Sequence, residues 1–136
     1  MNMLSGHIAA IEAHGSVAIV DVAVATHRFT ATLLGSAEQL ARWEIGQAVR
    51  LLFKETEVAL AKNLSGHISM RNRLPGTVTA LEIGQVLTRV VLDMQGIQIS
   101  SVITSRSARS LHIAVGDVVE GLVKSNEMSL LALEMK

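Results

Sequence analysis

Branched apolar runs alternate with glycine-rich and polar stretches along the whole chain. Short runs of Val, Ile and Thr bounded by turn formers read as β-strands, because branched side chains pack well on a pleated, half-buried surface. The first half predicts strands over His7–Ile11, Val17–Val24, Arg28–Leu33, Val49–Phe53 and Val58–Ala61. The second half predicts them over Thr77–Leu81, Leu87–Asp93, Ile97–Ile103, Val118–Val123 and Met128–Leu133. One short helix falls between the third and fourth strand of each half. Ser36 is placed to cap Ala37-Glu38-Gln39-Leu40-Ala41, and Ser105 or Ser107 to cap Ala108-Arg109-Ser110-Leu111. Gly46 and Gly116 occupy the turns that follow, and Gly35, Gly84 and Gly96 mark others.

These two sets of elements are one set, repeated. A shift of seventy residues without gaps places Leu4-Ser5-Gly6 on Leu74-Pro75-Gly76, Ala10 and Glu12 on Ala80 and Glu82, and Val20 on Val90. It also places Gly46 on Gly116, Val49, Leu52 and Lys54 on Val119, Leu122 and Lys124, and Glu57 and Leu60 on Glu127 and Leu130. An ungapped match over almost the whole chain signals duplication. A second echo, Leu4–Ile8 on Leu64–Ile68, does not extend and is set aside. Five short strands with a helix between the third and fourth outline an OB-type barrel. The expected fold is therefore all-β: two tandem OB-like five-stranded barrels, each with one short helix, over residues 1–64 and 65–136. Lys62–His67 is the natural linker. A core of about seventy residues is marginal alone, which favours the tandem and further self-association.

Composition narrows the function. Twelve Lys and Arg balance twelve Asp and Glu, giving zero net charge. Such a chain is poorly equipped to track a nucleic-acid backbone, where counterion release dominates, so no nucleic-acid partner is expected. Near-neutrality also lowers the repulsion between copies. The absence of Cys excludes disulfides, thiolate zinc sites and cysteine nucleophiles. His7, His14, His27, His67 and His112 show no metal-ligand spacing. No Gly-rich phosphate loop, nucleophile elbow or paired-carboxylate motif is present, so neither catalysis nor an organic cofactor is expected. The start of the chain has no basic and apolar leader pattern, and no apolar run approaches the roughly 20 residues that span a bilayer. A cytoplasmic protein without membrane insertion is the resulting expectation. Phe29, Trp43 and Phe53 are the only aromatic residues, leaving Val, Ile, Leu and Ala to fill the core.

The second half carries a more specific pattern. It opens Ser69-Met70-Arg71-Asn72-Arg73-Leu74-Pro75-Gly76-Thr77-Val78, then runs through Glu82-Ile83-Gly84, Ser101-Val102-Ile103-Thr104, Ser107-Ala108-Arg109-Ser110-Leu111, Val115-Gly116-Asp117 and Leu122-Val123-Lys124-Ser125. In this order the segments resemble the Mop domain, also called the molybdate-binding TOBE domain, over nearly all of Ser69–Leu133. The first half inherits the assignment through the repeat, without the Ser-x-Arg-Asn opening. Two such domains in one chain look like the di-Mop arrangement, found in free-standing molybdenum-handling proteins and in parts of molybdate-responsive repressors and the molybdate transporter's ATPase. The resemblance implies a dimer or higher oligomer that binds molybdate or tungstate at interfaces, for storage, homeostasis or sensing. A molybdate ABC transporter or regulator is an implied partner. The initial Met and full repeat suggest a free-standing protein, and a piece of a larger regulator or ATPase would read the same way.

Molybdate presents only acceptor oxygens, so its site needs converging amides, hydroxyls and one or two cations. By resemblance, Ser69 offers a hydroxyl, Arg71 a charge, and Met70 and Arg71 their amides. Lys124 gives a second cation and Ser125 another hydroxyl, and the two segments meet across a subunit interface. Thr104, Ser105 and Ser107 form a second kind of site at the helix start. In the first half Lys54 matches Lys124 and is expected to complete a pocket with Ser69 and Arg71 of another subunit, while Glu55 stands where Ser125 stands and repels an anion unless it points away. Two rival readings remain: an oligonucleotide-binding OB module, which usually stacks bases on aromatics in a basic groove, and a regulatory oligomerisation domain without a ligand of its own.

Overall fold

The structure, a computed structural model, describes residues 1–133. Its strands are β1 (Asn2–His14), β2 (Val17–Val24), β3 (His27–Leu34), β4 (Ala48–Phe53), β5 (Ala59–Ala61), β6 (Asn72–Ile83), β7 (Leu87–Met94), β8 (Ile97–Thr104), β9 (Val118–Val123) and β10 (Ser129–Ala132). Helix α1 spans Ala37–Leu40 and α2 spans Ser105–Ser110. The chain is thus all-β, with two curled five-stranded sheets and one short helix beside each. All ten predicted strands are present. The first strand of each repeat is much longer than the sequence suggests, because its polar and small residues continue the ladder beyond the apolar run.

Two compact units form, and neither is a continuous stretch. One comprises Met1–Asn2 with Lys54–Val123; the other comprises Met3–Phe53 with the chain from Lys124 onward. The first unit holds a sheet in the order β5-β9-β6-β7-β8, the second one in the order β10-β4-β1-β2-β3. Each compact unit thus takes its edge strand from the other half of the chain. The registers are equivalent: Ala59 pairs with Leu122 as Ser129 pairs with Leu52. Single 3-10 turns, Glu55–Glu57 and Ser125–Glu127, carry the chain into these edge strands. In the first unit the turn is held to its sheet by side chains: Arg89 grips Glu55, and the Ser101 hydroxyl donates to the Val58 carbonyl at 2.7 Å.

Alternation along the strands fills both cores. Val20, Val22, Phe29, Ala31, Leu51 and Phe53 are buried in one unit, and Leu74, Val78, Val90, Leu92, Ile99 and Val123 in the other. Each such side chain contributes about 1.5–3 kcal/mol when fully removed from water. The Leu-x-Gly repeat has a steric cause: a Cβ at Gly6 would run into the Ala23 carbonyl oxygen, and one at Gly76 would lie 3.0 Å from the Asp93 oxygen. Both glycines precede a bulge, between Ile8 and Ala10 and between Val78 and Ala80, where a strand bends and its twist increases.

Candidate functional site

Ser69, Met70 and Arg71 lie in the irregular segment before β6. Ser69 and Arg71 are exposed and Met70 is half-buried. Arg71 makes no ion pair among the described residues. Asn72 follows, fully buried, and forms the first rung of the β6–β9 ladder opposite Val123. Arg71 is thus the residue before that rung, and Lys124 is the residue after it.

Lys124 is exposed, and its carbonyl accepts the Glu127 amide at 2.9 Å, which starts the 3-10 turn. Ser125 is half-buried, and its Oγ lies 2.8 Å from Thr32 Oγ1 on β3. Two hydroxyls hold two protons and share one between them, so the pair retains one proton for an outside acceptor. Thr32 was invisible to sequence reasoning, since nothing in a strand pattern marks which turn packs on it.

Lys54 begins the corresponding turn of the first repeat. Its amide donates to Glu57 Oε1 at 2.9 Å. Glu55 accepts from Arg89 Nε and Nη2, both at 3.2 Å. Arg89 also donates from Nη2 to Ser100 Oγ at 2.8 Å and from Nη1 to Glu82 at 3.4 Å. Asn2, nearly fully buried, clasps the backbone of Ser100: its Nδ2 donates to the carbonyl, and its Oδ1 accepts the amide, each at 2.8 Å. Asn2 and Asn72 coincide under the seventy-residue shift, a signal that could have identified both.

The second candidate cluster separates into distinct roles. Thr104, not Ser105 or Ser107, is the N-cap of α2, and its Oγ1 accepts the Ser107 amide at 3.0 Å and donates to Ser107 Oγ at 2.8 Å. Ser105 faces inward, fully buried, donating to the Gly84 carbonyl at 2.6 Å and sharing a hydrogen bond with Thr88 at 2.8 Å. The helix begins earlier than expected because this inward hydroxyl fixes its first residue to the β6–β7 hairpin. Thr104 shares a cleft of about 340 Å³ with Gln85, Val86, Arg106 and Arg109. At the other end of α2, Lys62 Nζ donates to the Leu111 and His112 carbonyls and to Asp117, at 3.0–3.2 Å. That ammonium holds the Asp117 carboxyl below its usual range, with help from the Ala114 amide.

Comparison with known proteins adds independent findings. The TOBE domain model matches residues 1–60 and again 68–130. The chain is 37% identical over 89 residues to the molybdenum import ATP-binding protein ModC of Brucella abortus (strain 2308), covering 65% of this chain and 25% of that protein. It therefore spans about a quarter of the length of that curated relative. It is 38% identical over 66 residues to molybdenum-pterin-binding protein 2 of Clostridium pasteurianum, covering 48% of this chain and 97% of that one. A solved structure of the cytoplasmic molybdate-binding protein ModG with molybdate bound superposes with a TM-score of 0.91 at 26% identity, covering 97% of this chain and 96% of that one.

Proposed function

The chain belongs to the TOBE-domain family, matched once in each repeat, and from that premise we propose that it binds molybdate or tungstate inside the cell for molybdenum storage, homeostasis or sensing. The observation that carries this reading is the similarity along nearly its whole length to ModG with molybdate bound. The chemistry at hand supports it. Arg71 and Lys124 are exposed cations without ion-pair partners among the described residues, and the Ser125–Thr32 pair keeps a proton to give. In this reading Ser69, Met70 and Arg71 of one protomer and Lys124 and Ser125 of another complete a pocket in a dimer or higher oligomer. Hydroxyls and amides with few charges favour a size-matched oxyanion over generic phosphates, because unmatched donors are costly to leave unpaired. Thr104 and Ser107 remain a proposed second site; Ser105 has its hydroxyl engaged with Gly84 and Thr88.

A second reading follows from the ModC similarity: the chain acts as the regulatory portion of a molybdate transporter ATPase or of a molybdate-responsive regulator. The first reading requires oxyanion binding, whereas a regulatory or oligomerisation portion does not. Calorimetric titration with molybdate, with sulfate and phosphate as controls, separates them on protein of known oligomeric mass. Saturable molybdate binding without a sulfate response is expected. No heat and no change in melting temperature would remove the first reading and leave the second.

A further inference from the structure

The two repeats put the same backbone turn in the same place, yet they furnish it differently. In one unit the turn residue is Ser125, its neighbour on the third strand is Thr32, and the residue paired with Thr32 on the second strand is Ile19. Under the seventy-residue shift these become Glu55, Val102 and Arg89, and Arg89 pairs with Val102 in the equivalent register. Three positions have changed together. A neutral pair of hydroxyls that keeps a proton to donate is replaced by a carboxylate held on a guanidinium. Each set is complementary within itself, Thr32 with Ser125 and Arg89 with Glu55.

We infer that the place beside Lys54 carries its own anion, the Glu55 carboxylate, and is closed to tetrahedral dianions, so that the two repeats contribute unequally to oxyanion binding. This inference rests on the oxyanion reading above and specifies which turn serves it. Glu55 occupies two donors of Arg89, and the remaining Arg89 contacts go to Ser100 and Glu82. The Lys54 amide is likewise taken by the carboxylate of Glu57. A carboxylate is acceptor-only, so the Glu55 position offers an arriving dianion an acceptor already paired with Arg89, where the other repeat offers a hydroxyl proton. The tether matters too: an attached carboxylate competes at an effective concentration far above that of any free oxyanion.

Crystals of the intact protein soaked in tungstate test this without substitution, because tungsten is located by its anomalous scattering. Tungsten beside Lys124 and Ser125, and none beside Lys54 with Glu55 still on Arg89, is the expected result. Tungsten at both places, or only at Thr104 and Ser107, would overturn the inference while leaving molybdate binding intact, whereas tungsten nowhere in the crystal would remove the oxyanion reading itself. Titration of Glu55→Gln, an isosteric change that removes only the charge, and of Glu55→Ser gives a second readout. Each is expected to take up one further molybdate per chain, at least about tenfold more weakly than the first, because Val102 stands where Thr32 supplies a hydroxyl. Unchanged stoichiometry in both variants, with wild-type binding intact, would show that Glu55 is not what closes the place.

Discussion

At the scale of single residues, the sequence picks out donors and cations but not the residues that pack against them. Ser69, Arg71, Lys124 and Ser125 stand out because the pattern around them is specific and because a dianion requires donors and cations. The residues that condition them were not legible. Thr32 and Arg89 are ordinary strand residues until the fold lays a turn against them. Ser105 shows the converse error, a serine at a helix start whose hydroxyl the core consumes. The combined variant Arg71→Ala, Lys124→Ala removes two exposed cations and no core contact. It is expected to weaken molybdate binding by at least about a hundredfold, since each charge-assisted contact contributes roughly 1.5–3 kcal/mol, with an unchanged melting temperature. Unaltered affinity by calorimetry would dismiss that pocket. Gly6→Ala should behave oppositely. The new methyl meets a backbone carbonyl that cannot step aside, so a loss of about 1–3 kcal/mol is expected, read as a lowered midpoint in urea with oxyanion affinity retained in the folded fraction.

Elements were read more accurately than their neighbours. Strands announce themselves by composition, and β2 and β9 match their predicted limits, but a sequence pattern carries no information about which sheet an edge strand joins. Lys62 illustrates the gap: it reads as the start of a linker, yet it ties the end of α2 to the turn at Asp117. A cation on the last carbonyls of a helix satisfies groups that the helix cannot. Among the described residues the first repeat shows no such link, and Gln47, which stands in place of Asp117, accepts the Glu44 amide at 3.1 Å. Asp117 has its folded-state pKa lowered, so the stability it contributes is present above the ordinary carboxylate range and is lost as pH falls through the depressed value. Asp117→Asn is therefore expected to lower the melting temperature at neutral pH and to reduce the difference from wild type progressively in acid. Parallel melting curves for the two proteins at all pH values would show that the Lys62 link contributes nothing. Lys62→Met should leave α2 less protected in amide exchange while α1 keeps its wild-type rates.

On the scale of the whole molecule, the repeat and the compact unit are different objects. The seventy-residue repeat puts β5 with the first copy and β10 with the second, whereas β5 lies on β9 and β10 lies on β4. A fragment of residues 65–136 therefore carries a β9 edge without β5 and a β10 without β4. An unpaired edge exposes a row of backbone donors and acceptors, and the equivalent registers of the two edge strands offer a remedy. Because Ser129 is the counterpart of Ala59, and Leu122 of Leu52, β10 of one fragment can lie on β9 of a second copy, and the reverse. Two copies would then rebuild the exchange that the tandem chain makes within itself, as in domain swapping. The fragment is expected to be dimeric by light scattering and to melt at a temperature that rises with concentration, the mark of folding coupled to association. A monomeric fragment with a concentration-independent, cooperative transition would mean that β10 folds back onto its own β9. The 3-10 turn at Ser125–Glu127 would then be a flexible hinge. If the dimer forms, the turn itself directs the strand outward, and duplication has converted an exchange between two chains into one within a single chain.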